Sequence, residues 1–261
     1  ENTTGEIQEI VFDKKKGGYR LETKYHSNLE PQEILAVGKI LLESRALMKT
    51  ELFPIIYKIL GLCSDEKDKK MIRDVLGNEM HHYIELHHGK KLLEILWRLE
   101  QAVATQTYIV ISYKKSTTHE VVERKVKPVG IMFSEFYFYM TAYIDGIDKG
   151  KEFKNPDDPY PTIYRVDRLE DIRFLDEHFS VPYAERFEEG EFRKRVQFMY
   201  GGCLRKVKFR YSGRDIDSVL DRLPTAEILE KDDEGYTVKA EVFGAGINMW
   251  MKSQGEYITQ L

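Results

Sequence analysis

Tyr108-Ile109-Val110-Ile111-Ser112-Tyr113 is a dense run of β-branched and aromatic residues, and here the chain changes from helical to extended spacing. Downstream, Val121 to Lys127 alternates more weakly, and Pro128 to Phe133, Phe136 to Ile144, Thr162 to Val166 and Asp171 to Leu175 follow. Short strands separated by turn residues predict a small barrel or curled sheet over residues 106–188. Asp145 to Pro161 is a long loop rich in Asp, Gly, Lys and Pro, of a length that usually goes with function or mobility.

Upstream, residues 26–105 predict a helical connector or dimerisation block. Pro31 suits a first helical turn, and Ile34, Val37 and Leu41 continue the stripe. A second stripe comprises Leu52, Ile55, Ile56, Ile59 and Leu60, with Pro54 placed in its first turn. Ser64 is the expected N-cap of a third helix, ahead of Asp65 and Glu66, and Met71, Ile72, Val75 and Leu76 form its buried face. A last helix, from about Lys90 to Ala104, carries Leu92, Leu96, Leu99 and Val103 on one side. In residues 1–25, Ile10-Val11-Phe12 and Tyr19-Arg20-Leu21 flank a charged turn ending in Gly17-Gly18, which predicts a hairpin.

Past the strand-rich region, residues 189–261 predict a helix from Glu191 to Tyr200 stopped by Gly201-Gly202. Strands at Lys206–Tyr211, Thr225–Glu230, Tyr236–Phe243 and Glu256–Gln260 then alternate with helices at Arg214–Asp221 and Gly246–Ser253. The order is βαββαβ, a split-βαβ, ferredoxin-like pattern, so the fold class expected is α+β.

The chain has 261 residues, 42% apolar and 32% charged, which fits folded domains rather than disorder. Lys plus Arg is 40 and Asp plus Glu is 44, a net charge of −4 that excludes an evenly basic coat and leaves room for a local basic patch. Cys63 and Cys203 are too few for a disulfide framework or a tetrahedral zinc site. The most apolar stretch, Pro128 to Ile144, contains Glu135 and falls short of the roughly 20 residues a membrane helix needs. Glu1 to Glu9 is polar and acidic, unlike a signal peptide, and a cytoplasmic protein is expected.

The chain contains no G-x-S-x-G, Walker A, H-E-x-x-H or C-x-x-C motif, and no enzymatic activity and no cofactor are expected. Asp157 and Asp158 could hold a divalent ion, but no positioned nucleophile pairs with them. Gly244-Ala245-Gly246 follows a strand and opens a helix as a dinucleotide turn does; Met249 stands where the third glycine belongs, and a plain helix-start turn is the reading adopted. His81, His82, His87 and His88 could ligate a metal or simply decorate a helix end, and no metal is expected.

Arg124, Lys125 and Lys127 share one strand, and Arg165 and Arg168 flank another. Tyr113, Phe138, Tyr139, Tyr143 and Tyr164 interleave them. Arginine with aromatics on a small β unit is the chemistry that holds phosphates and stacks bases. The alternative is that Asp167 or Glu123 neutralises the arginines and the aromatics are core. A second basic run, Arg193 to Arg214, is read as a solvated face, with a nucleic-acid track as the alternative.

These residues resemble the WYL-domain family of bacterial transcription regulators. The family's ordered elements read here as Ile109-Val110-Ile111-Ser112-Tyr113, Arg124-Lys125-Val126-Lys127-Pro128, Phe138-Tyr139-Met140 and Tyr164-Arg165-Val166-Asp167-Arg168-Leu169. Phe138 replaces the namesake Trp, and Met140 replaces Leu. Ile10 to Asp13 and Gly17 to Leu21 look like the wing of a winged helix-turn-helix, whose recognition helix would precede Glu1. The C-terminal region, with Trp250 and Gly255, resembles the extension that follows such domains. The resemblance implies an Sm- or SH3-like barrel that binds a nucleotide or single-stranded nucleic-acid effector through Tyr113, Arg124, Tyr139, Arg165 and Arg168. In it, Asp167 orients Arg168 or a neighbour. A homodimer is implied, with DNA contacted through the helix-turn-helix, and the alternative is a nucleic-acid-binding accessory module without gating.

Overall fold

The computed structural model describes residues 7–25, 29–148, 160–182 and 186–261, and the chain forms two compact units, Glu1–Lys91 and Leu92–Leu261. Most of the expected 145–161 loop, including Asp157 and Asp158, lies outside the described residues.

The first unit holds the expected hairpin, β1 (Ile7–Asp13) paired antiparallel with β2 (Gly18–Tyr25). Asp13 ties its turn: its carboxylate accepts the Lys15 N–H at 2.9 Å, and its carbonyl accepts the Gly17 N–H at 2.9 Å. Three helices follow: α1 (Pro31–Ser44), α2 (Lys49–Leu60) and α3 (Glu66–His81). A reciprocal capping box between Glu30 and Glu33 starts α1. Helix α2 begins at Lys49, earlier than its apolar stripe indicates, so Pro54 lies inside it rather than in its first turn. Asp65, not Ser64, caps α3; its carboxylate accepts the N–H groups of Lys67 and Asp68 at 2.8 and 3.0 Å. Ile34, Leu42, Leu52, Ile56, Ile72 and Leu76 are buried. Gly38 is small for a reason: a Cβ there would lie 2.6 Å from the Leu76 side chain where α1 meets α3.

The second unit opens with α4 (Leu93–Ala104), which packs on β3 (Thr107–Lys114) and β4 (Val121–Ser134). This helix was expected in the helical block ending at residue 105, yet its compact unit starts at Leu92. Strands β5 (Tyr137–Ile144), β6 (Thr162–Arg165) and β7 (Leu169–His178) complete an antiparallel sheet of order β6-β5-β4-β3-β7. Strand β4 serves two neighbours, pairing with β3 through Val126 and with β5 from Val126 on. The changeover carries a bulge between Pro128 and Gly130, where proline has no N–H to give the ladder. A 3₁₀ turn, Val166–Arg168, joins the two edge strands β6 and β7 in sequence, but they share no ladder. Of the small barrel or curled sheet that the strand pattern predicts, the described strands form an open sheet, and the barrel that the family resemblance implies does not close among them.

Helix α5 (Glu189–Arg195) ends well before Tyr200. Val196 is extended and bridges to Phe243, and Phe198 and Met199 take left-handed backbone, φ 51° and 55°. Then come β8 (Leu204–Tyr211), α6 (Asp217–Arg222), β9 (Glu227–Asp232), β10 (Gly235–Phe243), α7 (Gly246–Ser253) and β11 (Ile258–Gln260). The expected βαββαβ order is present, in an antiparallel sheet of order β11-β8-β10-β9. Alternation buries Val207, Phe209 and Tyr211 of β8 and Val238, Ala240 and Val242 of β10 against Val219, Leu223, Ile247 and Trp250. A second cluster, Met132, Phe192, Val196, Met199 and Phe243, fastens the five-stranded sheet to this region. The molecule is thus α+β.

Candidate functional site

Directly opposed residues of an antiparallel ladder share a face, and successive residues alternate. That rule sorts four of the five candidate residues, the fifth, Arg168, lying in the 3₁₀ turn. Tyr164 opposes Met140, and its ring meets that of Tyr113 edge to face, with centroids 4.9 Å apart. Arg124 opposes Ile111 and acts electrostatically on Tyr164, whose phenol burial pushes up against the pull of that guanidinium. Tyr113, Arg124 and Tyr164 therefore form one group. Tyr139 opposes Arg165, and both are next in sequence to the Met140–Tyr164 pair, so they point to the other face. The structure splits the predicted set and does not gather it around one point.

On the second face, Arg165 is already engaged. Its Nε and Nη2 donate to the two carboxylate oxygens of Asp167 at 3.0 and 2.7 Å, a bidentate fork. Asp167 is 6% exposed, and the guanidinium lies 3.5 Å from the centre of the Tyr137 ring. Of the readings open at the sequence level, neutralisation by Asp167 is the one that holds for Arg165. Arg168, one residue past Asp167, has no hydrogen bond or ion pair with any described residue, and its charge acts on Tyr139. Burial pushes the Tyr139 phenol up, and Arg165 opposes the shift. Tyr137 was missed among the interleaving aromatics. The signal was there: Tyr137 and Tyr139 are two apart on one strand, hence on one face.

Nearby, Glu189 at the start of α5 accepts the Ile131 N–H at 3.1 Å. A Cβ on Gly130 would come within 2.0 Å of its carboxylate, so the glycine permits the contact. Burial raises the Glu189 carboxyl above its ordinary value of 4.5. The folded state then holds the proton more tightly than the unfolded state, and this residue costs stability as pH rises from 4.5 through the raised value. Glu189→Gln, which keeps the acceptor oxygen, is expected to raise the urea midpoint at pH 7 and to match the parent at pH 4. An equal gain at both pH values would refute this account.

Four of the eight basic residues of the second run are ion-paired. Glu191 takes Lys194 and Arg195, Glu241 takes Lys206 at 3.6 Å, and Asp232 takes Arg210. That fits the solvated face rather than a track of available cations. Gly244 and Gly246 are structural: a Cβ on either would strike the backbone of the 197–201 segment. His81 and His82 meet edge to face at 4.9 Å, and no group of three metal-ligating side chains occurs among the described residues. Among them, too, no helix is long and apolar enough to cross a membrane.

Compared with known proteins, residues 94–174 match the WYL domain family. Among solved structures, proteasome accessory factor B/C of Arthrobacter aurescens aligns over 98% of this chain at 12% identity and a TM-score of 0.34. The chain spans 36% of the length of that protein. A CRISPR Cas-related protein aligns over 91% of this chain and 70% of its own, at 13% identity and a TM-score of 0.41. No curated protein matches. The matched region runs from α4 into β7 and holds all five candidate residues, so the similarity to the WYL domain family lies over residues 94–174.

Proposed function

We propose that the chain is the effector-sensing part of a bacterial transcription regulator, and that its WYL domain takes a nucleotide or a single-stranded nucleic acid. The observation that carries this reading is Arg168: a guanidinium without a described partner, beside Tyr139 and an arginine–aspartate fork. Arg168 offers a phosphate two parallel hydrogen bonds, and Tyr139 offers a base or sugar an aromatic surface. Arg165, held on Tyr137 by Asp167, gives the site a fixed, charge-balanced edge, and Arg168 supplies the net positive charge. Tyr113 and Arg124, on the other face, supply a separate contact for a ligand long enough to pass the sheet edge.

In the same reading, the hairpin β1–β2 is the wing of a DNA-binding winged helix-turn-helix. The open sheet is Sm- or SH3-like, and the C-terminal region is ferredoxin-like. The protein is a cytoplasmic homodimer without enzymatic activity. Effector binding shifts the DNA-bound arrangement by no more than its differential affinity for the two arrangements. The test is fluorescence anisotropy with 5′-phosphorylated oligonucleotides and with cyclic and linear nucleotides. The parent chain is expected to bind at least one of them, and Arg168→Ala to weaken that binding about tenfold or more, the worth of a charge-assisted pair. Failure of the parent chain to bind any of them removes the proposal.

A further inference from the structure

A cavity of about 240 Å³ lies between the β4–β5 end of the five-stranded sheet, the segment after α5, and α6. Phe133, Phe198 and Met199 give it apolar walls, and Arg193, Asp221 and Arg222 give it charge. It shares no residue with the Arg168 cluster. Its volume is below the roughly 300–1,000 Å³ of common ligand clefts, so an occupant must be small.

Arg222 is the informative residue. Its guanidinium lies 4.9 Å from the centre of the Phe198 ring, and its Nη2 donates to Glu135 Oε1 at 3.1 Å. Its Nε is buried without a hydrogen-bond partner. Nε and Nη2 form the edge of a guanidinium that grips a carboxylate with two parallel bonds. Arg165 uses that edge fully on Asp167. Arg222 uses only one of its two donors on Glu135, and a buried donor left idle is costly.

The backbone around the cavity is unusual as well. Glu135, Phe198 and Met199 have φ of 57°, 51° and 55°, and they are three of the six non-glycine residues with positive φ among the described residues. Such conformations in bulky residues gather at ligand sites and switch regions. Glu135 sits in the tight turn between β4 and β5, on a side chain 39% exposed, so it can leave Arg222 for solvent.

We propose that this cavity is a second ligand site, for a small organic oxyanion with an apolar body, and that Glu135 is its internal competitor. The oxyanion takes both donors of the Arg222 edge, satisfying Nε and displacing Glu135, while Arg193 adds positive charge against Asp221. The apolar body lies on Phe133 and Met199. Benzoate and phenyl phosphate carry this chemistry with carboxylate and phosphate heads, and inorganic phosphate lacks the apolar body.

The test is isothermal titration of the full chain with each of the three, alongside Glu135→Gln and Arg222→Lys. One of the two organic anions is expected to bind saturably and more tightly than inorganic phosphate. Glu135→Gln is expected to tighten that binding about fivefold, because a neutral amide competes less well than a carboxylate for a guanidinium. Arg222→Lys keeps the charge, loses the two-donor edge, and is expected to weaken binding about tenfold. If Arg222→Lys fails to fold, Glu135→Gln still decides, because it changes an exposed turn residue. Absence of binding by both the parent chain and Glu135→Gln overturns the proposal. So does an affinity that Glu135→Gln leaves unchanged or lowers, or inorganic phosphate binding as tightly as the organic anions.

Discussion

Replacing Gly246 by alanine is expected to destabilise the second unit by about 3 kcal/mol or more, the upper range for forcing atoms into a packed interior. Gly246 is the first residue of α7, and a Cβ there would lie 1.9 Å from the Gln197 carbonyl oxygen and 2.8 Å from its carbon. The obstacle is backbone, so no rotamer change relieves it. Moving the 197 segment would cost more than one clash. Val196 bridges to Phe243, the Gly244 N–H donates to the Cys203 carbonyl at 3.1 Å, and Val196, Met199 and Phe243 share one apolar cluster. Gly244→Ala should cost a similar amount by a related route: its φ is +63°, and its Cβ would lie 2.2 Å from the Gly201 carbonyl oxygen. The double variant should cost little more than either single one, because both changes open the same seam. For a unit of this size, about 3 kcal/mol corresponds to a fall in Tm of roughly 6–12 °C. Ala245→Ser, at the exposed position between them, serves as the control. A Tm for Gly246→Ala within about 2 °C of the parent would show that the seam is not held as described.

That seam also shows why parts of the molecule were readable in the sequence and others were not. Local periodicity is written residue by residue. The alternation of β8 and β10 was legible, and so was the βαββαβ order. What a stripe packs against is not written locally. Helix α4 has the same amphipathic pattern whether it joins three other helices or a sheet, and its place on β3 and β4 emerges only from the tertiary contacts. The end of α5 was hidden for the same reason: a bridge to Phe243, 47 positions after Val196 in the numbering, overrides the glycine stop at Gly201-Gly202. The candidate site was legible as residue types but not as geometry. Which face each of Tyr113, Arg124, Tyr139 and Arg165 takes depends on register across three ladders and on one bulge, and a shift of a single residue would reverse it. Asp167 was visible as an acid near two arginines, and only the 3₁₀ turn decides that it takes the one before it.

Asp167→Ala and Arg165→Ala are each expected to destabilise the fold by about 3–5 kcal/mol, because each leaves the other partner of a largely buried, bidentate pair without its counter-charge. The Asp167 side chain is 5% exposed and the Arg165 side chain 22%, so solvent replaces little of what is lost. Replacing both residues by leucine should cost clearly less than the sum of the two alanine changes, since no charge is then left stranded; a strictly additive double variant would mean the pair contributes no coupling. The same pair sets the charge of the proposed effector site. Arg165 and Asp167 cancel, which leaves the charge of Arg168. Asp167→Asn keeps an oxygen to accept one guanidinium bond and removes the negative charge, so it should tighten phosphate-bearing ligands and steepen the salt dependence of their binding. Arg165→Ala moves the charge the other way. If the site works by attracting an anion, affinity for a 5′-phosphorylated oligonucleotide must fall in the order Asp167→Asn, parent chain, Arg165→Ala, measured in folded fractions so that lost stability is not read as lost binding. Weaker binding by both variants would mean that the fork itself, and not the charge beside it, is what the ligand recognises, and the reverse order would show that the site does not work by attracting an anion.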